Sequence, residues 1–211
     1  MADEIDDTTW YQQTCARLTS VYLVGDNPRA QSGFTGDQTH WTQARSLIAE
    51  AINRDGAFLD IGCANGFLLE CLVDWVSVKG HRIEPSGLDI STGLVELARK
   101  RLPHWADRLF VGNAIDWEPP RRYEFVRTGS EYVPQKRQAD LVQRLLEHVV
   151  IPGGRLIIGT FNETKARGED PSEEPATEQQ IASWGVKISG RTERPHFRDP
   201  RLVYRVVWID N

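Results

Sequence analysis

A short glycine-rich segment combines residue types that can hold a polar ligand against the backbone. Residues Asp60 to Gly66, with the sequence DIGCANG, place an acid ahead of two glycines, and an apolar stretch from Phe67 to Val78 follows. Glycines let the backbone approach a ligand closely, and the start of a helix presents free N–H groups to an anion. A tight strand-to-helix turn without a ligand has the same pattern, so this segment decides nothing alone.

Two further polar positions follow the next two apolar runs of the chain. Asp89 ends the run Gly87-Leu88-Asp89, where a carboxylate can accept hydrogen bonds from both hydroxyls of a ribose. Asn113 follows the third run, and its amide or a neighbouring backbone N–H can bind an adenine edge. An N-cap for Asp89 and a turn for Asn113 are the alternatives. Together with the glycine segment, they predict a nucleoside-binding crevice at one edge of a sheet.

The elements that must position these residues alternate along the chain. Strands are predicted at residues 57–61, 82–89, 108–111, 123–127, 155–160, 185–190 and 202–209, and helices at residues 7–20, 37–53, 67–78, 92–101, 135–150 and 177–183. Alternation of this kind is typical of parallel strands joined by right-handed crossovers, with helices on both faces. The last two strands have no helix between them, as an antiparallel pair would. The predicted class is a doubly wound α/β fold.

Composition limits the function classes that fit the chain. The 211 residues are 40% hydrophobic and 26% charged, which indicates a globular protein. The formal net charge of −5 favours a small-molecule partner over a nucleic acid held by its phosphates. The acidic start, the lack of a membrane-length apolar run and three cysteines without metal-type spacing predict a cytoplasmic protein with no membrane span and no metal. The oligomeric state is not indicated.

Several segments resemble motifs of the class I S-adenosylmethionine-dependent methyltransferases. Phe58 to Gly66 resembles the first motif of that family, and Asp89 matches its ribose-binding acid. Asn113-Ala114 matches its adenine-flanking motif, and Ile151 to Leu156 matches its late turn and strand. The resemblance covers residues 56–161. It implies a seven-stranded, mostly parallel sheet closed by a C-terminal antiparallel hairpin. Residues 1–55 would form a helical cap integral to the domain, and residues 56–211 the methyltransferase core.

The resemblance also implies a cofactor and a role for individual residues. S-adenosylmethionine would be the methyl donor and S-adenosylhomocysteine the product, with Asp60 near the methionine amino group. The implied cofactor-binding residues are Asp60, Gly62, Cys63, Ala64, Asn65, Gly66, Asp89, Ile90, Asn113, Ala114 and Arg127. Two departures from the family pattern stand out: Ala64 replaces a glycine, and Arg127-Thr128-Gly129 is no catalytic signature.

Residues that could act on the acceptor are harder to choose. The sulfonium already activates the methyl group, so the protein must mainly align the acceptor, and a base is needed only if a proton is lost. The candidate bases are His40, His104, His148, Glu131, Tyr11 and Tyr132, of which Glu131 and Tyr132 follow the fourth strand and are the catalytic candidates. Trp10, Tyr11, Phe34 and Trp41 are candidates for the acceptor pocket, with core packing as the alternative.

The function predicted is direct, in-line methyl transfer to oxygen or nitrogen of a small molecule. A tRNA or rRNA methyltransferase is one alternative, since Arg191, Arg194, Arg198, Arg201 and Arg205 make a locally basic segment. A non-catalytic S-adenosylmethionine-binding module is another. A nicotinamide-dependent oxidoreductase would use a similar strand, turn and helix, but its usual G-x-G-x-x-G is missing from residues 60–66.

Overall fold

The computed structural model describes residues 6–159, 177–196 and 203–211, and these contain a seven-stranded sheet. Its strands are β1 (Gly56–Ile61), β2 (Ile83–Asp89), β3 (Leu109–Val111), β4 (Tyr123–Gly129), β5 (Val150–Gly159), β6 (Gly190–Pro195) and β7 (Val203–Asp210). Their order across the sheet is β3-β2-β1-β4-β5-β7-β6. Strands β1 to β5 are parallel to one another, whereas β7 is antiparallel to both β5 and β6. The predicted fold class is confirmed.

Four of the seven described α-helices begin at a residue whose side chain caps the helix. They are α1 (Asp7–Leu23), α2 (Gln38–Arg45), α3 (Leu47–Glu50), α4 (Phe67–Val78), α5 (Thr92–Arg101), α6 (Gln138–Arg144) and α7 (Glu178–Ser183). The Asp37 carboxylate accepts a hydrogen bond from the backbone N–H of His40 at 2.8 Å, and the Ser91 hydroxyl accepts one from Leu94 at 3.3 Å. Such caps satisfy N–H groups that have no partner within the helix. None of the described helices is long and apolar enough to cross a membrane.

Three predicted elements differ from those observed. The helix predicted over 37–53 divides at Ser46, whose ψ of −17° departs from helical geometry. The helix predicted over 135–150 is α6, with a 3-10 turn before it and a π-helical turn, Leu145–Val149, after it. The strand predicted over 185–190 is wrong, because β6 begins at Gly190. Val186 and Ile188 are apolar because they pack on the core from an irregular segment.

Both faces of the sheet are buried, as in other parallel sheets flanked by helices. Phe58 of β1 lies in one hydrophobic cluster with α2, α3 and α4, while its neighbour Leu59 lies in a second cluster with α6. Phe34 and Trp41 belong to the first cluster, at 6% and 2% exposure. Because the strands are fixed from both sides, their carboxyl ends hold loop residues at one edge of the sheet.

Candidate functional site

A cavity of about 330 Å³ lies at the carboxyl ends of β1, β2, β3 and β4. That volume falls within the range of small-molecule sites. The core contributes Gly62, Ala64, Asp89, Ile90, Asn113, Ala114, Arg127, Glu131 and Tyr132 to its wall. The N-terminal region contributes Trp10, Tyr11, Arg17, Tyr22 and Arg45, among others. Seven of the residues implied in cofactor binding therefore line one cavity.

The glycine turn owes its shape to three residues in the left-handed region of backbone space. Gly62, Ala64 and Gly66 have φ values of +74°, +46° and +76°, and Ala64 is the one non-glycine residue with positive φ among those described. The backbone N–H of Gly62 donates to the carbonyl of Leu88 at 2.8 Å, which ties the turn to β2. A Cβ added to Gly62 would lie 2.5 Å from the Tyr132 ring. Glycine therefore lets Tyr132 pack on the turn.

Asp89 connects the glycine turn to the start of α5. Its Oδ2 accepts a hydrogen bond from Ala64 N–H at 2.8 Å, and its Oδ1 accepts one from Ser91 N–H at 2.9 Å. Burial raises the pKa of Asp89, although these N–H groups oppose the rise. Each carboxylate oxygen keeps a second lone pair, so the side chain can also accept ligand hydroxyls from the cavity.

Arg127 at the end of β4 is the hub of a buried polar network. Its Nη1 lies 3.1 Å from Asp60 Oδ1, 2.9 Å from the Tyr132 hydroxyl and 3.4 Å from the carbonyl of Ile61. Burial raises the pKa of Asp60, and the charge of Arg127 opposes that rise. Burial lowers the pKa of Arg127, but Tyr132, Asp60 and Glu131 outweigh it, so the guanidinium stays charged.

The two catalytic candidates sit side by side in a 3-10 turn after β4, Ser130–Tyr132. Glu131 folds back against Gly129, and its Oε2 has no hydrogen-bond partner among the described residues. Burial raises the pKa of Glu131, which Arg127 and Arg45 partly offset. Burial also raises the pKa of Tyr132, so its phenol remains neutral at ordinary pH and accepts from Arg127.

Four of the implied cofactor-binding residues do not line the cavity. Asp60 is fully buried and paired with Arg127. Cys63 is buried too, and burial raises its thiol pKa well above the usual range. The Asn65 side chain donates to the carbonyl of Pro28 at 2.8 Å and accepts from Phe67 N–H at 3.2 Å. A Cβ on Gly66 would meet the Leu102 side chain, so this glycine serves packing.

The histidine candidates lie away from the cavity. His40 is buried and hydrogen-bonds the Tyr204 hydroxyl between α2 and β7. His104 is exposed in a 3-10 turn, and His148 lies 3.6 Å from Glu147 at the surface. Within the described ranges, no group of three or more His, Cys, Asp or Glu side chains is placed to hold a metal.

Three cavity residues with charged or aromatic side chains were missed from the sequence. Arg17 and Tyr22 lie on α1, and Arg45 at the end of α2 is held by cation–π contacts to Phe34 at 5.5 Å and Trp41 at 5.7 Å. One face of α1 lines the cavity with Tyr11, Thr14, Leu18 and Tyr22. Their helical spacing is the sequence signal that would have assigned this face of α1 to the cavity.

The arginines of the predicted basic segment are largely engaged with the protein itself. Arg191 pairs with Glu178 at 3.2 Å, and Arg205 pairs with Glu193 at 2.9 Å. Arg194 donates to the carbonyl of Gln43 at 3.0 Å and to Ser46 Oγ at 3.2 Å. None of these three lines the cavity. Arg198 and Arg201 lie outside the described residues.

Solved structures with the same architecture cover nearly the whole chain. An N-methyltransferase, NodS, from Bradyrhizobium japonicum, in complex with S-adenosylhomocysteine, superposes with a TM-score of 0.62 at 15% identity, over 98% of this chain and 99% of that one. The chain has the class I methyltransferase fold. A second structure with this fold is the 1,6-didemethyltoxoflavin-N1-methyltransferase of Burkholderia thailandensis, with a TM-score of 0.67, 15% identity and 100% and 92% coverage. Its crystals hold 1,6-didemethyltoxoflavin and S-adenosylhomocysteine.

Sequence comparison reaches a methyltransferase over part of the chain. A malonyl-[acyl-carrier protein] O-methyltransferase of Priestia megaterium is 25% identical over 115 residues, which is 54% of this chain and 40% of that protein. The chain therefore matches less than half the length of this methyltransferase. No protein-family model matches the chain.

Proposed function

We propose that this chain is an S-adenosylmethionine-dependent methyltransferase that transfers a methyl group directly to oxygen or nitrogen of a small molecule. The observation that carries the proposal is the position of Gly62, Asp89 and Asn113 around one cavity, at the carboxyl ends of neighbouring parallel strands. Open α/β sheets bind their ligands at this edge. A glycine turn, an acid and an amide in this order suit the amino-acid chain, the ribose and the adenine of the cofactor.

The residues present fit the cofactor. Gly62 and Ala64 give a turn without bulk facing the cavity, Asp89 offers carboxylate oxygens, and Asn113 and Ala114 lie in the wall near β3. Cys63, Asn65 and Gly66 act by holding the turn in shape. Two charged side chains of the same wall, Arg127 and Glu131, each have a buried polar atom, Nε and Oε2, without a partner among the described residues. A polar, charged ligand would satisfy both.

The cofactor supplies an activated methyl group when bound, and the chain's own residues supply alignment and exclusion of water. Residues 1–55 are proposed as the cap, since Trp10, Tyr11 and Tyr22 of α1 line the cavity. Thr19 Oγ1 lies 2.6 Å from Ser91 Oγ, which holds α1 against the start of α5. Glu131 is the candidate for removing a proton from the acceptor, and the hydroxyl of Tyr132 is a candidate for orienting it.

A small molecule is favoured over RNA because the charges are wrong for a phosphate-binding surface. Arg191 and Arg205 are paired with acids, and the chain carries a net charge of −5. We retain a cytoplasmic location as part of the proposal, since Cys15, Cys63 and Cys71 are free thiols. The non-catalytic binding module remains the second candidate, favoured by Arg127-Thr128-Gly129, which carries no catalytic signature.

Calorimetric titration of the full chain with S-adenosylmethionine, S-adenosylhomocysteine and NADH tests the proposal. We expect binding of the first two and none of NADH. A screen of small-molecule acceptors with methyl-labelled cofactor follows. Binding without transfer to any acceptor or to tRNA would favour the binding module, whereas NADH binding alone would make the chain an oxidoreductase.

A further inference from the structure

We propose that Arg127 and Glu131 hold the amino-acid end of the cofactor, Arg127 by its carboxylate and Glu131 by its ammonium. Asp60 then acts as the anchor of Arg127 and does not bind the ammonium itself. This inference rests on the proposed function and assigns the two charged groups that select the zwitterion. It gives a use to the departure at Arg127, and it replaces the role of Glu131 as the base that removes a proton from the acceptor.

The first step is the position of Asp60. Asp60 is 0% exposed and is not part of the cavity wall, whereas Arg127, its ion-pair partner, is part of that wall. Nη1 of the Arg127 guanidinium already donates a hydrogen bond to Asp60 Oδ1 at 3.1 Å. An acid that is neutralised at close range by a guanidinium attracts a second cation weakly, because the pair presents little net charge.

The second step is the free edge of the Arg127 guanidinium. The hydrogen bonds that this side chain donates to the described residues all come from Nη1, and its Nε, although buried, has no acceptor among them. Nε and Nη2 form the opposite edge of the planar group. A carboxylate accepts two parallel hydrogen bonds from such an edge, which is the preferred arrangement for this pair of groups. Arg127 belongs to the cavity wall, and the proposal places the ligand carboxylate at this edge of its guanidinium.

The third step is the unpartnered carboxylate of Glu131. It lines the same cavity, its Oε2 has no partner among the described residues, and the charge of Arg127 acts on it. An isolated buried charge is costly, and a cation placed beside it recovers that cost. Arg127 and Glu131 thus present opposite charges to one end of the cavity, as a zwitterion requires.

One observation favours the competing assignment. Asp60 Oδ2 also has no hydrogen-bond partner among the described residues, and a cofactor ammonium reaching it would bypass Arg127. The two assignments differ in which acid matters for ligands that carry the ammonium. Asp60→Asn and Glu131→Gln therefore form a matched pair of variants, each removing one buried carboxylate charge.

The experiment is calorimetric titration with four probes: S-adenosylhomocysteine, its decarboxylated analogue, its deaminated analogue and 5′-methylthioadenosine, which lacks the amino-acid end. We expect Glu131→Gln to weaken S-adenosylhomocysteine and the decarboxylated analogue about tenfold or more, the scale of a lost charged hydrogen bond. Binding of the deaminated analogue and methylthioadenosine should be unchanged. Asp60→Asn keeps an amide oxygen that can accept the hydrogen bond of Arg127 Nη1, so Arg127 should stay in place. Binding of every probe should therefore change by less than about threefold, below the scale of a lost charged hydrogen bond.

Arg127 is tested in the double variant Asp60→Asn/Arg127→Met, which leaves no unpaired charge at the position of the Asp60–Arg127 pair. It should weaken S-adenosylhomocysteine and the deaminated analogue but spare the decarboxylated one. Far-UV circular dichroism checks that each variant is folded. If the double variant does not fold, Arg127→Lys replaces it, because lysine keeps the charge but cannot form the two parallel hydrogen bonds of a guanidinium edge.

The outcomes separate this inference from the proposed function. If the unsubstituted chain binds neither methylthioadenosine nor S-adenosylhomocysteine, the proposed function fails and the inference with it. A second outcome is that methylthioadenosine binds, and that Asp60→Asn weakens binding of the ammonium-bearing probes while Glu131→Gln does not. In that case the assignment of the ammonium to Glu131 is overturned and the proposed function stands. Equal losses for all four probes in the double variant would overturn the role of Arg127.

Discussion

Asp60 and Arg127 are register partners on the neighbouring strands β1 and β4, and their charged groups lie 3.1 Å apart. Both side chains are almost fully buried, at 0% and 5% exposure. The pair joins the strand before the glycine turn to the strand before Glu131 and Tyr132. Its energetics therefore bear on both sides of the cavity.

Removal of one partner should be far more harmful than removal of both. Arg127→Met leaves the Asp60 carboxylate buried without its cation, and we expect a loss of about 3–5 kcal/mol in the free energy of unfolding. The double variant Asp60→Asn/Arg127→Met contains no buried charge at this position and should recover part of that loss. Urea denaturation of the two variants measures the difference. A double variant as unstable as Arg127→Met would show that packing, and not charge, dominates here.

The glycine turn offers a test with an internal control. Gly62→Ala and Gly80→Ala both place a Cβ at positive φ, at +74° and +83°. Each should lose about 1–2 kcal/mol from backbone strain. At Gly80 the new Cβ would meet nothing within 4 Å, whereas at Gly62 it would lie 2.5 Å from the Tyr132 ring. Gly62→Ala should therefore cost more in thermal denaturation and weaken S-adenosylhomocysteine binding. Equal losses of stability would mean that Tyr132 moves aside freely.

Asp89 has a structural role that the sequence did not reveal. The ribose assignment predicts that Asp89→Ala loses about 1.5–3 kcal/mol of cofactor binding. Because the carboxylate also accepts from Ala64 and Ser91 N–H groups, the alanine variant should lose stability as well. Asp89→Asn keeps one acceptor oxygen and should be the more stable of the two in urea. Unchanged calorimetric affinity in a folded Asp89→Asn would contradict the ribose assignment.

Most cavity residues found from the sequence lie at or just after the ends of strands, and Trp10 and Tyr11 of α1 are the exceptions. Asp89 and Asn113 end apolar runs, so the sheet dictates where they lie, and α5 begins and ends where its pattern predicts. Arg127 fits no local pattern, because its role comes from pairing with a strand partner 67 positions away in sequence. Arg45 and Tyr22 lie on helices that fold over the cavity, and packing alone brings them there. Val186 and Ile188 led to the wrong strand prediction over 185–190. An irregular segment that packs apolar residues on the core has the same composition as a strand.

The buried carboxyl of Glu131 should make stability depend on pH in a particular direction. Burial raises its pKa above the ordinary 4.5, so the folded chain holds this proton more tightly than the unfolded chain does. From pH 4.5 up to the raised value, the folded state binds more protons, and the free energy of unfolding falls as pH rises. Glu131→Gln removes this component, so its urea-derived stability should fall less over that window. Asp60 and Asp89 give contributions of the same sign that remain in the variant.

Glu118 supplies a control of opposite sign. Its hydrogen bond from Arg144 lowers its pKa below 4.5, so its contribution to stability is present above that pH and is lost as pH falls. Glu118→Gln should therefore make the slope of stability against pH near 4.5 more negative, while Glu131→Gln makes it more positive. Glu118 is exposed, so its effect should be the smaller one. A slope unchanged by Glu131→Gln would mean that the Glu131 carboxyl is solvated in the free protein, by water or after reorientation of the side chain. The attraction of Glu131 for an ammonium would then lose the desolvation on which it depends.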